Sequence, residues 1–232
     1  GYSKKIVEEI WRQVESFAGY AFCKAHSASY ALLSFQVAYL KAHYPAEFMA
    51  GVLSNQGGYY SAAVYIQECR RLGLRVHLPC INKSRYEYYG KGEDLYIGLM
   101  AVKGLASRMA EEIIRERESN GRYVSLADFL VRTSVGEQSA ALLILCGALD
   151  CFGQTRPYLM RLLDVYIKHR KLLDTTQLAL FTADSMKLER ELATSVDYSV
   201  EEKCLHELEV FDYMVSRHPL DFFPSYHEDP LV

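Results

Sequence analysis

Gly104 follows a short apolar segment, residues 99–102, and precedes a segment of helical spacing that begins at Ser107. A glycine at such a turn lets the backbone approach a ligand closely, and free amide groups at the start of a helix attract an anion. The Ser107 hydroxyl is expected to cap this helix by accepting a hydrogen bond from one of the amides. Lys103 and Arg108 place positive charge beside the turn. These residue types predict a phosphate site, and a DNA phosphate suits it without any base being read.

The helix behind this turn is predicted to bury one face, because apolar positions recur at helical spacing from Met109 to Ile114 and the face continues to Arg117. An apolar segment, a glycine turn and a new helix are typical of a helix-hairpin-helix motif, whose ligand site is the hairpin. The alternative is a simple turn between two helices, since Ala106 stands where the motif usually carries a second glycine.

A second hairpin of the same kind follows downstream. The apolar segment 140–146 leads into Gly147, and the chain turns through Gly153 before another helix begins with Arg156 and Pro157 in its first turn. Proline suits that position, where its missing N–H costs nothing. Two hairpins at this interval indicate a tandem unit that grips backbone phosphates, and we favour DNA binding over a purely structural role.

The net charge of −3 is unevenly distributed along the 232 residues. Residues 1–173 hold 22 Lys and Arg against 16 Asp and Glu, a balance of +6, whereas residues 174–232 hold 4 against 13, a balance of −9. The front of the chain can therefore approach nucleic acid, and the tail is repelled by it. Solvated helix faces also produce a moderate basic excess, so the charge alone does not establish binding.

The composition argues against several classes of protein. No apolar run approaches the ~20 residues that span a bilayer, and the start carries no signal-peptide pattern but is typical of a domain cut from a longer chain. We therefore expect a cytoplasmic location and no membrane partner. The six cysteines form no CxxC pair, which favours reduced core thiols over a disulfide framework or a zinc site. The adjacent glutamate pairs, at residues 8–9, 111–112 and 201–202, lie on predicted helix surfaces and are expected to be solvated.

A polar cluster lies at the predicted start of a long helix that ends at Pro45, and Pro45 is expected to open the next helix. It contains Lys24, His26 and Ser27, with Tyr30 one turn further on. Such a cluster can be a capped helix start whose histidine bonds locally, or it can hold the phosphates of a nucleotide. Periodicity leaves both interpretations open.

The two helices on either side of this cluster carry apolar stripes. The first is predicted over residues 1–18, with Ile6 and Phe17 on its apolar side and Gly19 as its end. The second runs to Tyr44 and carries two stripes, which predicts that it is packed on more than one side.

The segment from Phe17 to Ala50, which contains this cluster, resembles the fingers region of the bacterial DNA polymerase III alpha subunit, a C-family polymerase. It departs from the family pattern at Ala21, Cys23 and Ala25, where the family usually has Gly, Asn and Ser. Further segments similar to the family follow in the same order, at residues 67–74, 79–84, 98–104 and 121–129. In the first of them, Gly73 is expected to end a helix.

The resemblance implies a mainly α fold in four parts. Residues 1–97 are expected to form the C-terminal part of a helical fingers subdomain with a small β-hairpin, whose loop spans residues 90–94. Residues 98–173 are expected to form a tandem helix-hairpin-helix domain that holds the exiting duplex. Residues 174–199 are expected to form a linker, and residues 200–232 are expected to begin a following domain. The C-terminal segment is expected to be extended.

The resemblance also implies what the site residues bind. The polar cluster is expected to face the incoming dNTP in the whole enzyme. Double-stranded DNA is expected to contact the residues of the two hairpins: Lys103, Gly104, Ser107, Arg108, Gly147, Gly153 and Arg156. The paired acids that bind Mg²⁺ belong to the palm of the family, so no cofactor is expected in this chain, and the chain is not expected to catalyse the reaction alone. The remaining domains of the polymerase and other replisome subunits are further expected partners.

A short motif lies in the predicted linker. Gln177, Leu178, Leu180 and Phe181 form a pentapeptide with Ala179 that resembles the one by which bacterial proteins bind the sliding clamp. The two last residues can fill an apolar pocket, and the glutamine can hydrogen-bond at a second site. The alternative is that these apolar residues pack on the hairpin domain as an ordinary core contact.

Two functions therefore compete. The first is part of a bacterial replicative DNA-directed DNA polymerase, which binds duplex DNA and the clamp and contributes to the nucleotide site. The second is a stand-alone, non-enzymatic DNA-binding or clamp-tethered accessory module. The coding sequence upstream of Gly1 discriminates between them, because only the first requires a palm with acidic residues.

Overall fold

The computed structural model describes residues 2–21, 23–56, 58–168 and 196–223. It is mainly α-helical, as predicted, and it divides into two compact units between Tyr44 and Pro45. The predicted clamp-binding pentapeptide, residues 177–181, lies outside the described residues. None of the described helices is long and apolar enough to cross a membrane.

The first unit contains the helices α1 (Lys4–Ala21) and α2 (Lys24–His43). The prediction that Gly19 ends the first helix is wrong, because α1 continues through it; one glycine inside a helix costs only about 1 kcal/mol. The predicted packing of the two helices is also not found. Phe17 is 78% exposed, and α2 buries none of its described side chains. The apolar periodicity identifies helix faces that another segment could cover, but it does not show which segment covers them.

The second unit begins with the helices α3 (Pro45–Ser54) and α4 (Ala62–Arg71). Pro45 opens α3 as predicted. After α4, Gly73 has a φ of +80° and the N–H of Leu74 donates to the carbonyl of Cys69 at 2.9 Å. This arrangement confirms the prediction that Gly73 ends the helix.

Three short strands follow, β1 (Arg75–His77), β2 (Tyr89–Lys91) and β3 (Asp94–Tyr96). They form one sheet in the order β1-β3-β2, with β1 parallel and β2 antiparallel to β3. The hairpin is present, but its predicted five-residue loop is wrong, because only Gly92 and Glu93 connect β2 to β3. Gly92 has a φ of +61°, which such a tight turn requires.

The remaining helices build the hairpins and their support: α5 (Ser107–Asn120), α6 (Leu126–Arg132), α7 (Glu137–Leu145), α8 (Arg156–Lys168) and α9 (Val200–Phe211). One core joins them to the sheet. Leu95 of β3, Phe129 of α6, Leu143 of α7 and Leu159 of α8 have 0% exposure and belong to the same cluster. The predicted boundary at residue 97 lies within this core.

The segment that follows α9 also packs on the core. Tyr213 is buried, and its hydroxyl hydrogen-bonds that of Tyr88 at 2.7 Å. The carbonyl of Val215 accepts a hydrogen bond from the guanidinium of Arg70. The described part of the predicted following domain, residues 200–223, therefore lies against the hairpin unit.

The buried face of α9 is not formed by its leucines. Leu205 and Leu208 are 58% and 43% exposed, whereas Cys204 and Glu207 have 0% exposure. The carboxylate of Glu207 accepts hydrogen bonds from the N–H groups of Val215, at 2.7 Å, and Ser216, at 2.8 Å. A buried glutamate fixes the face of this helix, and apolar periodicity does not anticipate such a residue.

Candidate nucleic-acid interface

The first hairpin turns at Gly104, directly in front of α5. Gly104 has a φ of +80°, and a Cβ at this position would lie 2.9 Å from Cδ1 of Leu142 in α7. Any other residue would therefore be strained by its backbone and crowded by its neighbour. The two hairpins are in contact through this leucine, and the glycine keeps the turn close to α7.

The start of α5 is an exposed set of hydrogen-bond donors. Among the described residues, no acceptor bonds the amides of Gly104, Ser107 and Arg108, and all three residues are exposed. Amides in the first turn of a helix have no partner within the helix, and the helix dipole adds partial positive charge there. The arrangement can bind an anion such as a phosphate.

Ser107 does not cap α5. The preceding residue, Ala106, occupies the cap position without a side-chain hydrogen bond, and Ser107 is the first helical residue. Its Oγ accepts a hydrogen bond from the hydroxyl of Tyr86 at 2.8 Å. The prediction is wrong by one position, because the extended residue that ends the turn is Ala106.

Lys103 is paired with an acidic residue of the C-terminal segment. Its ammonium group contacts the carboxylate of Asp212, and its backbone N–H donates to the carbonyl of Val210 at 3.1 Å. The side chains of Lys103 and Asp212 are 54% and 68% exposed. An exposed pair of this kind contributes about 0–1 kcal/mol, so a phosphate can replace Asp212 at little loss.

The second hairpin is held from inside by Arg156, which is 2% exposed. Its guanidinium donates to both carboxylate oxygens of Asp150, at 3.0 and 2.8 Å, and to the carbonyl of Leu145 at 2.9 Å. Burial alone lowers the pKa of Arg156, but the hydrogen bonds to Asp150 outweigh it and raise the pKa. A Cβ on Gly147 would collide with this guanidinium. Arg156 was predicted to contact a phosphate; in this structure it instead ties the end of α7 to the start of α8.

The start of α8 already holds a carboxylate. Oδ1 of Asp197 accepts a hydrogen bond from the N–H of Arg156 at 3.3 Å, and Oδ2 pairs with Lys203. Burial raises the pKa of Asp197. Hydrogen bonds from Lys203 and from the N–H of Tyr198 lower the pKa by more than burial raises it, so the pKa lies below its usual range. Asp197 therefore takes the place where a phosphate would lie at this helix. Gly153, exposed with a φ of +72°, remains at the surface of the turn.

The two hairpins thus differ in what they offer a ligand. The predicted residues of the first hairpin lie together at an exposed surface, whereas those of the second are partly buried and internally paired. Asp197 and Asp212 were not predicted to contact the hairpins. Each is far from its partner in the chain, so local spacing carries no signal for either.

The polar cluster of the first unit forms the start of α2. Lys24 is its first residue, and Cys23 precedes it without a side-chain cap. The rings of His26 and Tyr30 meet edge to face with centroids 4.5 Å apart. Both rings and Lys24 are exposed, and Ser27 is half-buried. In the described part of the chain, no carboxylate pairs with Lys24, so its charge and the adjacent amides are open to an anion.

Comparison with known protein families identifies a helix-hairpin-helix motif over residues 73–159. This range includes both glycine turns and the sheet that supports them. The chain is also similar to several DNA polymerase III alpha subunits. That of Saccharopolyspora erythraea is 35% identical over 95% of this chain, and that of Treponema pallidum is 34% identical over 97%. The alpha subunit of Thermus aquaticus is 41% identical over 66% of this chain.

The chain spans about a fifth of the length of the first two relatives, since each alignment covers 20% of the relative. The similarity covers nearly all of this chain, and the motif match includes the hairpins described above. Over nearly its whole length, the chain is therefore similar to a fragment of the DNA polymerase III alpha subunits.

Proposed function

We propose that this chain is the part of a DNA-directed DNA polymerase that binds duplex DNA through its backbone phosphates. The exposed start of α5 carries the proposal, because the free amides of Gly104, Ser107 and Arg108 lie beside the Arg108 side chain. These donors recognise phosphate and no base edge, so binding is independent of sequence. The helix-hairpin-helix match supports the same conclusion.

The chemistry of nucleotide addition would be performed by other parts of such a polymerase. It requires acidic residues that hold two metal ions to activate the attacking hydroxyl and stabilise the leaving group. The alternative of a stand-alone accessory module is tested by the coding sequence upstream of Gly1, where a palm with an acidic cluster supports the polymerase.

Replacing Arg108 by glutamine is expected to weaken duplex binding and to reduce its salt dependence. Loss of one phosphate contact lowers the slope of log K against log salt by about one. Fluorescence anisotropy of a labelled duplex, titrated at several salt concentrations, measures this slope. Arg115→Gln is the matched control, because Arg115 is exposed on the same helix but distant from its start. Equal slopes for the two variants would contradict the proposed site.

We further propose that the polar cluster at the start of α2 contacts the triphosphate of the incoming nucleotide in the whole enzyme. Lys24 supplies a full positive charge there, and the first amides of a 20-residue helix supply partial ones. The alternative is that the cluster only begins the helix.

We also propose that residues 177–181 bind the sliding clamp, with Leu180 and Phe181 as the anchor residues. Double replacement of these two by alanine is expected to weaken binding to the clamp at least tenfold, because buried anchors carry most of the energy of such an interface. Surface plasmon resonance with immobilised clamp measures the affinity. Leu172→Ala with Leu173→Ala is the control, since it removes two apolar side chains from the same region of the chain. Equal affinity of both double variants would show that the pentapeptide is not the contact.

A further inference from the structure

A groove of about 580 Å³ lies between the three-stranded sheet and the turn of the second hairpin. Tyr89 and Tyr96 of the sheet line one side, and Gly147 and Asp150 of the hairpin line another. None of the functions proposed above uses this surface. It is nevertheless continuous with the helix-hairpin-helix unit, because the hairpin turn forms part of its wall.

Three cations converge on this groove without an acidic partner. Lys83, Arg85 and Lys91 all line it and are exposed. Over the described ranges, none of the three forms an ion pair, whereas the neighbouring Arg75 is bound by two carboxylates. Of the acidic residues in the wall, Asp150 is neutralised by Arg156, which leaves only Glu87 unpaired. The unpaired charges therefore give the groove an excess of positive charge.

Planar groups form a stacked row along the same groove. The ring of His77 stacks on Tyr96 with centroids 4.7 Å apart and planes inclined by 16°, and Tyr96 stacks on Tyr89 at 6.2 Å and 26°. The guanidinium of Arg85 covers the other end, 3.8 Å from the centroid of Tyr89. Nε2 of His77 lies 2.6 Å from Oδ1 of Asp94, which fixes the imidazole, and the side chain of His77 remains 41% exposed.

We propose that this groove binds single-stranded nucleic acid. Lys83, Arg85 and Lys91 hold the phosphates, and an unpaired base extends the stacked row at the exposed His77. Base stacking on aromatic rings beside a basic groove is the general mode by which proteins hold single strands. A duplex cannot use the row, because its bases are stacked within the helix and do not turn outward. The proposal rests on the nucleic-acid function proposed above but concerns a different surface, so the two can fail separately.

The first test measures binding of a fluorescein-labelled oligo-dT of about 12 nucleotides, within the range that one such groove occupies. The variant Lys83→Gln/Arg85→Gln/Lys91→Gln in the 232-residue chain is expected to bind it at least about tenfold more weakly at low salt. Duplex affinity is expected to change less than about twofold, because the α5 site is unaltered. Arg108→Gln should give the opposite pattern, which separates failure of the groove from failure of the hairpin.

The matched control is Arg115→Gln/Arg122→Gln/Arg161→Gln, which removes the same charge from three exposed arginines outside the groove. An equal loss of oligo-dT binding in this control would overturn the proposal in favour of a general charge effect. Unchanged oligo-dT binding in the groove variant would overturn it outright. His77→Ala should weaken oligo-dT binding about fivefold or more if a base stacks there.

Cys80 provides an independent test of location. Its half-buried thiol lines the groove, and a hydrogen bond from Cys151 lowers its pKa, so more of it is thiolate at neutral pH than for an ordinary cysteine. Oligo-dT at saturation is expected to slow alkylation of Cys80 by iodoacetamide, measured peptide by peptide with mass spectrometry. Cys23, exposed in the first unit, should react at an unchanged rate. Tight oligo-dT binding without protection of Cys80, or equal protection by duplex, would place the strand elsewhere and contradict the proposal.

Discussion

Replacing Arg156 by methionine is expected to lower the free energy of unfolding by about 3 kcal/mol, the lower end of the range for breaking a buried ion pair. The guanidinium is 2% exposed and bonds both oxygens of Asp150 and the carbonyl of Leu145. Methionine fills much of the space of the arginine stem but supplies no donor. Water can solvate part of Asp150, whose side chain is 46% exposed, which keeps the loss near the lower end.

Urea denaturation monitored by circular dichroism measures this effect. Arg108→Met is the control, because Arg108 is exposed and unpaired among the described residues, and such surface changes alter stability by about 0.5 kcal/mol or less. Arg156→Lys should fall between the two, since lysine keeps the charge but cannot bond Asp150 through a planar pair of donors. If the Arg156→Met chain were as stable as the unaltered one, the pair with Asp150 would not stabilise the fold. The phosphate contact predicted from the sequence would then be favoured for Arg156.

The parts of the fold that local sequence determines were predictable. Gly73 ends α4 and Pro45 opens α3, because the backbone preferences of glycine and proline act on the residues directly beside them. The α5 face is also confirmed, with Ala110 and Ile113 buried at 1% and 0% exposure. These features depend on spacing along one helix and on backbone preference, both of which a single sequence shows.

Features that depend on distant segments were not predictable. The strand β1 is three residues long, too short for a periodic signal, and it joins the sheet by pairing with β3 about twenty positions later. Arginine is a residue type that often contacts phosphate, but Arg156 is buried because it bonds Asp150 and the end of α7. Likewise, Asp197 reaches the start of α8 across 41 positions. Residue type indicates which chemistry is available, and tertiary contacts decide whether a ligand or the protein itself uses it.

The polar cluster of α2 is the reverse case, because its charged and polar groups are exposed and available to a ligand. Lys24 is exposed at the start of a 20-residue helix, and Cys23 supplies no side-chain cap. The amides of the first turn therefore add their partial positive charge to the full charge of Lys24. A triphosphate carries the complementary charge, and it would gain hydrogen bonds that water now makes.

In an alpha subunit that contains this chain, Lys24→Ala is expected to lower kcat/KM for the incoming nucleotide by about 10- to 100-fold. A hydrogen bond to a charged group contributes about 1.5–3 kcal/mol, and each 1.36 kcal/mol corresponds to about a factor of ten in rate. Single-nucleotide primer extension over a range of dNTP concentrations measures the effect. Lys5→Ala is the control, because Lys5 is exposed on α1 and lies outside the cluster, and Lys24→Arg should retain part of the activity. If Lys24→Ala and Lys5→Ala enzymes extended primers with equal kcat/KM, the cluster would serve only to begin the helix.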